Sequence, residues 1–222
     1  MSSRPDLNRP GVWRELWPQA LGLMTHLEGM VDQPLWTFGG GTVLMLRHGH
    51  RLSKDIDLFV PDPQYLGYVN PRLSEVAEAV SADYEENAEF IKFYLPQGEI
   101  DIVVGTALTA QPYEVVKHAG REIKVERSAE IIAKKMWHRG DQAKARDLFD
   151  LCAVADVEPE AITEASPFFL RHGEAFLRRL QERAELARAE FKAIDALAFR
   201  QTFDECLQRA REILGPVRKG RR

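Results

Sequence analysis

The stretch FGGGTVLMLRHGHRLSKDIDLFV, residues 38–60, joins a glycine run and a helical pattern to a short apolar strand that contains two aspartates. Residues i and i+2 of a strand project from the same face, so Asp55 and Asp57 point one way while Ile56 and Leu58 point into the core. Two neighbouring carboxylates repel each other unless a cation neutralises them. Since Mg²⁺ prefers carboxylate oxygens and keeps positions for water and phosphate, the pair predicts a magnesium site.

A second strand supplies a third carboxylate. In GEIDIVV, residues 98–104, Asp101 and Glu99 share one face while Ile100 and Ile102 occupy the other. If this strand lies beside residues 55–60, Asp101 completes a cluster that can bind two metal ions. We therefore predict three metal ligands, which are Asp55, Asp57 and Asp101.

Other metal sites fit the sequence less well. An EF-hand loop needs further oxygen ligands and a glycine at its sixth position, whereas apolar residues follow Asp57. His48 and His50 do not have the helical spacing of zinc ligands, and no cysteine is near them. We expect both histidines to be exposed at the end of a helix.

The glycine run, Gly39 to Gly41, follows a β-prone segment (35–38) and opens a helix. This arrangement leaves backbone N–H groups at the positive end of the helix, where a phosphate can bind. A tight connection without a ligand is the simpler alternative. The run matches neither the Walker pattern nor G-x-G-x-x-G, and the extra Gly39 leaves the register of the phosphate contacts open by one residue.

The order of elements predicts an α+β fold. A mixed β-sheet lobe with flanking helices is expected in residues 1–126, followed by a helical lobe in residues 127–222. In the first lobe, residues 13–30 have helical spacing of apolar side chains. Segments 89–95 and 99–105 alternate as strands, and the PQG between them predicts a hairpin turn.

Further elements follow from shorter patterns. Residues 72–81 predict a helix and residues 121–125 a strand. The first helix of the second lobe has Ser128 as a candidate N-cap and Gly140 as a candidate C-cap. Long amphipathic helices are then expected near 167–192 and 195–214.

Charge is unevenly distributed along the chain. Residues 1–116 carry 8 basic and 16 acidic side chains, whereas residues 117–146 carry 9 basic and 4 acidic ones. The basic segment, 117–146, could hold an RNA backbone, and solvated helix faces are the alternative. The basic tail VRKGRR (217–222) is more simply a solvated end.

Segments that would target the chain to a membrane are not apparent. No apolar run approaches about 18 residues, and the amino end lacks the apolar part of a signal peptide. We therefore expect a cytoplasmic protein without membrane association. Cys152 and Cys206, the two cysteines, are expected to be buried, unpaired thiols.

The residues in the opening stretch resemble the AbiEii/AbiGii-type nucleotidyltransferases of the DNA polymerase β-like superfamily. That family's signature has GGT, a helix and then R-x-S-x-D-I-D-L-F. The matching positions are Gly40, Gly41, Thr42, Arg51, Ser53, Asp55, Ile56, Asp57, Leu58 and Phe59. EIIAKKMWHRG and ARDLFDL are similar to the family's lysine motif and R-D-x-x-D-L motif, so the resemblance spans about residues 36–152.

The lysine motif lies on a predicted helix over residues 129–139. Lys135 and Arg139 share one face of this helix, and Lys134 and His138 share another. The resemblance implies that one lysine meets the triphosphate. It favours Lys135, which precedes an apolar residue, over Lys134.

The R-D-x-x-D-L motif has two interpretations. Arg146 and Asp150 have the spacing of an i,i+4 ion pair, with Asp147 beside them, so one interpretation is a structural salt bridge that links helices. The resemblance implies instead that Asp147 or Asp150 orients the lysine or the nucleotide.

The implied activity is transfer of a nucleoside monophosphate from an NTP to a hydroxyl acceptor, with Mg²⁺ or alternatively Mn²⁺. The implied catalytic residues are Asp55, Asp57, Asp101 and Lys135. The implied nucleotide-binding residues are Gly40, Gly41, Thr42, Arg51, Ser53, Lys134, Arg139, Asp147 and Asp150.

The acceptor is less constrained. The family is associated with toxins of toxin–antitoxin and abortive-infection systems, and some relatives modify the acceptor end of tRNA. The resemblance thus implies a toxin that acts on RNA, with tRNA favoured, and a cognate antitoxin protein as partner. A small hydroxylated acceptor, as in aminoglycoside-modifying relatives, is one alternative. A non-catalytic nucleotide-binding or partner-binding protein is another, although the presence of all three carboxylates argues against it.

Overall fold

The computed structural model describes residues 3–215, which form two compact units. The sheet unit contains residues 4–47 and 52–127, and the helical unit contains Ser3, residues 48–51 and the described residues from Ser128 onward. The VRKGRR tail lies outside the described residues. The lobes 1–126 and 127–222 stay a prediction as independent domains.

The sheet unit is built on one seven-stranded mixed sheet with the strand order β3-β4-β5-β2-β1-β7-β6. Its strands are β1 Thr37–Gly39, β2 Ile56–Val60, β3 Tyr84–Glu86, β4 Phe90–Leu95, β5 Gly98–Val104, β6 Tyr113–His118 and β7 Arg121–Glu126. The β2–β5 and β1–β7 pairs are parallel, and the other neighbours are antiparallel. The predicted α+β class with a mixed sheet is confirmed.

Strands in which apolar and polar side chains alternate can be predicted from the sequence, and strands without this alternation cannot. Ile91 and Phe93 of β4 and Ile100 and Ile102 of β5 are fully or almost fully buried, and Leu95 pairs with Gly98 across the predicted turn. The strands β3 and β6 were not predicted. Their side chains are mostly polar or half-exposed, so no strict alternation marks them.

Four helices accompany the sheet, and they are α1 Trp13–Met30, α2 Gly40–His48, α3 Tyr65–Tyr68 and α4 Glu75–Glu78. The prediction for residues 13–30 is confirmed, and the apolar face of α1 is buried at positions such as Trp17, whose ring centroid lies 4.6 Å from that of Phe38. The helix expected over residues 72–81 shortens to α4, which Ser74 caps by accepting a hydrogen bond from the Ala77 N–H.

The helical unit contains α5 Ser128–Arg139, α6 Ala145–Val157, α7 Pro159–Ala165, α8 Gly173–Glu182, α9 Ala184–Lys192 and α10 Phe203–Leu214. The long helix expected near 167–192 is wrong as one element, because it breaks at Arg183 into α8 and α9. Gly140 begins a short 3₁₀ turn, and the left-handed residue before α6 is Ala143, with φ of 51°. Ser128 is the first residue of α5, and its hydroxyl meets the His48 ring.

Two further sequence expectations concern the cysteines and membrane-spanning segments. Cys152 and Cys206 are buried free thiols, as expected. Within residues 3–215, no helix is both long enough and apolar enough to cross a bilayer.

A buried arginine links α2 to the far strands of the sheet unit. Arg47 donates to the Glu126 backbone oxygen at 2.9 and 2.7 Å and to the Glu114 carboxylate at 2.7 Å. Its side chain is 0% exposed, whereas that of Glu114 is 25% exposed. Because α2 follows the glycine run directly, this anchor fixes the helix whose first turn adjoins Asp57.

Replacement of Arg47 should therefore destabilise the sheet unit. We expect Arg47→Met to lower the free energy of unfolding by about 2 to 4 kcal/mol, because it leaves buried acceptors without donors. Urea denaturation measures this change. Arg72→Met is the matched control, since Arg72 pairs with Glu86 at an exposed position and should change stability by less than about 1 kcal/mol. Equal losses in both variants would contradict the role given to Arg47.

Candidate functional site

The candidate site lies on the polar face of the sheet, where β2 and β5 run side by side. Their parallel register places Asp57 directly opposite Asp101. Ile56, Leu58 and Ile100 on the other face are completely buried. The condition under which the sequence made Asp101 a third ligand, a strand that lies beside the strand of Asp57, is therefore met.

The glycine run brings the start of α2 against the same carboxylate. Gly39 pairs with Asp57 across β1 and β2, and Gly40 has a φ of +71° as the first residue of α2. A Cβ on Gly40 would lie 1.8 Å from the Asp57 Oδ2 atom, and one on Gly39 would lie 2.2 Å from the Glu126 Oε2 atom. Side chains are therefore excluded at both positions. Gly39 belongs to the strand, which leaves Gly40 and Gly41 at the helix terminus.

Thr42 and Ser53 stabilise this turn from within. The Thr42 hydroxyl lies 2.5 Å from the Asp55 backbone oxygen and 3.1 Å from the Ser53 hydroxyl, and Thr42 is 0% exposed. The Ser53 N–H lies 3.2 Å from the Met45 sulfur. These contacts hold the segment before β2 against α2. A phosphate contact by Thr42 or Ser53 stays a prediction.

The environment of Asp101 disfavours its charged form. Its Oδ2 accepts a hydrogen bond from the Lys92 ammonium at 3.0 Å, while its Oδ1 is buried without a hydrogen-bond partner among the described residues. Burial, and secondly the neighbouring Asp57 carboxylate, raise the pKa of Asp101 to about 6. An oxygen in this state is suited to accept a cation or a proton.

Lys92 is a site residue that the sequence analysis missed. It lies opposite Asp101 in the β4–β5 pair and also donates to Glu99 at 2.6 Å. Burial alone would lower the pKa of the Lys92 ammonium, but Glu99 and Asp101 raise it. The signal was present in the sequence, because pairing Leu95 with Gly98 across the turn sets Lys92 opposite Asp101.

Asp55 lies just before β2, and its Oδ1 accepts a hydrogen bond from the Glu99 N–H at 3.1 Å. Across residues 3–215, no group of three or more His, Cys, Asp or Glu side chains is arranged as a metal site. The three-carboxylate site stays a prediction. The donor set nonetheless suits a hard divalent cation, since it consists of carboxylate oxygens and includes the unpartnered Asp101 Oδ1 atom.

The remaining predicted residues converge in the helical unit. Asp150 is 0% exposed and accepts hydrogen bonds from Arg51 at 2.6 and 2.9 Å. Lys135 lies 2.9 Å from Asp150 and 2.6 Å from Asp147, which also accepts from Arg139 at 2.7 Å. The predicted shared face of Lys135 and Arg139 is confirmed. We call these five side chains the buried ion network.

Opposite charges decide the ionisation of this network. Although burial alone would raise the pKa of the Asp150 carboxyl, Arg51 and Lys135 hold it well below its usual range. Arg139 and Lys135 do the same for the pKa of Asp147, which is fully buried. Both aspartates are therefore charged in the native state. Lys134 is separate and lies 3.4 Å from Glu130.

Two expectations about this region are wrong. Arg146 is exposed, and Asp150 pairs with Arg51 and Lys135 instead of forming the expected i,i+4 pair. The histidines are not exposed, because His50 is 2% exposed and bonds Asp150 at 2.8 Å, while His48 bonds Ser128 at 2.9 Å. Spacing along the sequence could not reveal these partners, which come from distant helices.

Comparison with known families assigns the chain to one of them. A family model described as nucleotidyl transferase AbiEii toxin, type IV toxin–antitoxin system, matches residues 23–214. The chain belongs to the AbiEii family. It is a nucleotidyltransferase of a toxin family, and the family implies an NTP substrate and a cognate antitoxin. Nucleotidyltransferases generally use divalent metal ions.

One solved structure supports the fold of this AbiEii family member. A proposed nucleotidyltransferase from H. pylori aligns with a TM-score of 0.51 and 17% identity, over 94% of this chain and 92% of that chain. A STING-associated CdnE c-di-GMP synthase from Capnocytophaga granulosa aligns over 93% of this chain and 81% of that chain, with 12% identity and a TM-score of 0.33, which is too low to carry an argument. No curated protein matches the chain.

The steric requirement at Gly40 gives a first prediction for the site. Gly40→Ala should destabilise the protein by more than about 1 kcal/mol and abolish nucleotidyl transfer, because alanine is disfavoured at positive φ and its Cβ displaces Asp57. Urea denaturation and transfer assays measure the two effects. Gly29→Ala is the control, since a Cβ there meets nothing within 4 Å and should be neutral or stabilising by roughly 0.5 to 1 kcal/mol. An active Gly40→Ala enzyme would contradict this account.

The raised pKa of Asp101 gives a second prediction. Burial raises the pKa of Asp101 from 3.8 to about 6 in the folded protein. Protonation of this carboxyl therefore contributes to the free energy of unfolding in full below pH 3.8, and the contribution is lost as the pH rises through 6. In EDTA, the free energy of unfolding of Asp101→Asn relative to the parent should therefore rise by about 2 kcal/mol between pH 4.5 and about pH 7.5. Urea titrations across this range measure the difference. A difference that does not change with pH would contradict the assignment.

Proposed function

We propose that this nucleotidyltransferase transfers a nucleoside monophosphate from an NTP to a hydroxyl of RNA, with the acceptor end of tRNA as the favoured target. The observation that carries the reaction type is the register of β2 and β5, which pairs Asp57 with Asp101 beside the Gly40 turn. A metal-bound triphosphate requires carboxylates for the metal ion and backbone N–H groups at a helix terminus for the phosphates, and both lie together here.

The site residues of the sheet unit have the following roles in this proposal. Asp57 and Asp101, with Asp55, would hold Mg²⁺, or Mn²⁺ in its place. The bound ion supplies Lewis-acid activation of the attacking hydroxyl and the α-phosphate. The backbone N–H groups of Gly40 and Gly41 would bind the β- and γ-phosphates at the start of α2.

Asp101 would bind the second metal ion or, as the alternative, act as the base for the acceptor hydroxyl. The acceptor oxygen forms a bond to the α-phosphorus while the bond to pyrophosphate breaks, and the hydroxyl proton passes to the Asp101 Oδ1 atom. Within residues 3–215, this atom is a buried oxygen that has no hydrogen-bond partner. Lys92 donates to the other oxygen of Asp101 and so orients the carboxylate.

The buried ion network supports a different role in the helical unit. The charges of Asp147 and Asp150 on α6 are offset by cations that include Lys135 on α5, so the network links α5 to α6. Contacts of Lys135, Lys134, Arg51 or Arg139 with the nucleotide stay predictions from the family resemblance.

The choice of RNA is supported by family membership and by charge. The chain belongs to a family of nucleotidyltransferase toxins, and the sequence places a net positive charge on residues 117–146. Several of these cations, including Lys117 and Arg146, are exposed. An RNA acceptor is consistent with action in the cytoplasm.

Labelling experiments test the reaction and the acceptor together. The protein is incubated with each α-labelled NTP, Mg²⁺ and total RNA, and we expect label in a tRNA-sized band. Asp57→Asn should lose transfer completely while the urea midpoint does not fall, because the change removes metal binding and charge repulsion without altering packing.

Asp32→Asn is the matched control, because Asp32 is an exposed aspartate of the same unit and its change should leave transfer intact. Full transfer by Asp57→Asn would refute the proposed centre. Label that reaches small hydroxylated molecules but never RNA would refute the acceptor and leave the chemistry standing.

A further inference from the structure

The helical unit contains an open cavity of about 580 Å³ with an excess of positive charge. Its lining includes four cations, Lys144, Arg146, Arg179 and Arg183, and a single acid, Glu190. The other lining residues are uncharged. We call this feature the basic cavity.

The cations of the basic cavity come from separate elements. Lys144 and Arg146 lie at the start of α6, Arg179 lies on α8, and Arg183 lies between α8 and α9. Arg183 approaches Glu190 at 3.6 Å, and both side chains are well exposed at 39% and 44%. A surface pair of this kind is weak, so Glu190 leaves much of the charge of Arg183 available to a ligand.

Other cations of the basic segment 117–146 form ion pairs with acidic side chains of the protein itself. Lys135 and Arg139 belong to the buried ion network, and Arg121 pairs with Glu28 in the sheet unit. The basic segment 117–146 is therefore not one surface. Its exposed members Lys144 and Arg146 join arginines from α8 and the α8–α9 junction that the sequence analysis did not connect with them.

We propose that the basic cavity binds the phosphodiester backbone of the acceptor RNA, an inference that rests on the proposed RNA acceptor. Guanidinium groups match phosphate oxygens in geometry and charge, and three of the four cations are arginines. Among the described residues, no aromatic side chain lines the cavity, so bases have no stacking partner there. Recognition at this cavity is therefore by charge and is independent of base sequence.

Two other anions could occupy such a cavity. The triphosphate of the NTP is assigned to the carboxylate face of the sheet unit, so a contribution of the basic cavity to NTP binding would count against the proposal. An acidic surface of an antitoxin protein is the other candidate. The experiment separates all three.

The decisive variant is Arg179→Gln/Arg183→Gln, with Arg178→Gln as the matched control. Arg178 is the neighbouring residue on α8, is 70% exposed and is absent from the cavity lining. We measure the KM for tRNA, the KM for NTP, the Kd for the cognate antitoxin, and the Kd for tRNA by fluorescence anisotropy at several salt concentrations.

We expect the double variant to raise the KM and Kd for tRNA by roughly tenfold, with an unchanged KM for NTP and an unchanged kcat at saturating tRNA. The slope of log Kd against log salt concentration should fall by about 0.7 to 0.9 for each phosphate contact removed. The Arg178→Gln control should match the parent in every measurement.

Glu190→Gln provides a test of opposite sign. It removes the acid that competes with phosphate for Arg183, so the Kd for tRNA should decrease by a factor of about two to five. A gain of affinity cannot arise from a folding defect. Unchanged or weaker tRNA binding by Glu190→Gln would count against the proposal.

Three outcomes would overturn the inference. The first is a double variant that binds and labels tRNA like the parent, the second is a raised KM for NTP, and the third is lost antitoxin binding with unchanged tRNA binding. In each of these the parent still labels RNA, so the proposed function stands. A parent protein that neither labels nor binds tRNA would overturn both.

Discussion

The sheet unit depends on one register, in which Asp57 of β2 lies between the Gly39–Gly40 turn on one side and Asp101 on the other. A shift of β2 by one residue would turn Asp57 into the core and Ile56 toward the polar face. The complete burial of Ile56 and its neighbours therefore enforces the placement of the carboxylates. The same hydrophobic contacts that hold the sheet together set the geometry of the candidate site.

Holding like charges together has an electrostatic cost that the sheet unit only partly offsets. Asp55 takes a backbone N–H from Glu99, and Asp101 takes one ammonium contact from Lys92. The pKa of Asp101 nevertheless stays raised, to about 6. A cation is the partner that would relieve the remaining repulsion, which is the physical reason why such a pair suits metal-dependent phosphate chemistry.

The family motifs divide between the two units. Asp55 and Asp57 belong to the sheet unit, whereas Arg51, four residues before Asp55, belongs to the helical unit and pairs with Asp150 there. Removal of one partner from such a buried pair leaves an uncompensated charge, which costs several kcal/mol. A loss of activity on mutation of Arg51 or Asp150 can therefore arise from the stability of the helical unit, and a stability measurement must accompany each assay.

The sequence alone determined the features that arise from local periodicity. Alternation set the inward and outward faces of β2 and β5, the PQG turn set the β4–β5 hairpin, and the apolar spacing set α1. Tertiary structure decided the rest: the β2–β5 pairing, the partners of Asp150 and the basic cavity, and with it which cations stay exposed. The physical reason is that these features join segments far apart in the chain, and no local pattern encodes which distant side chain neutralises a given charge.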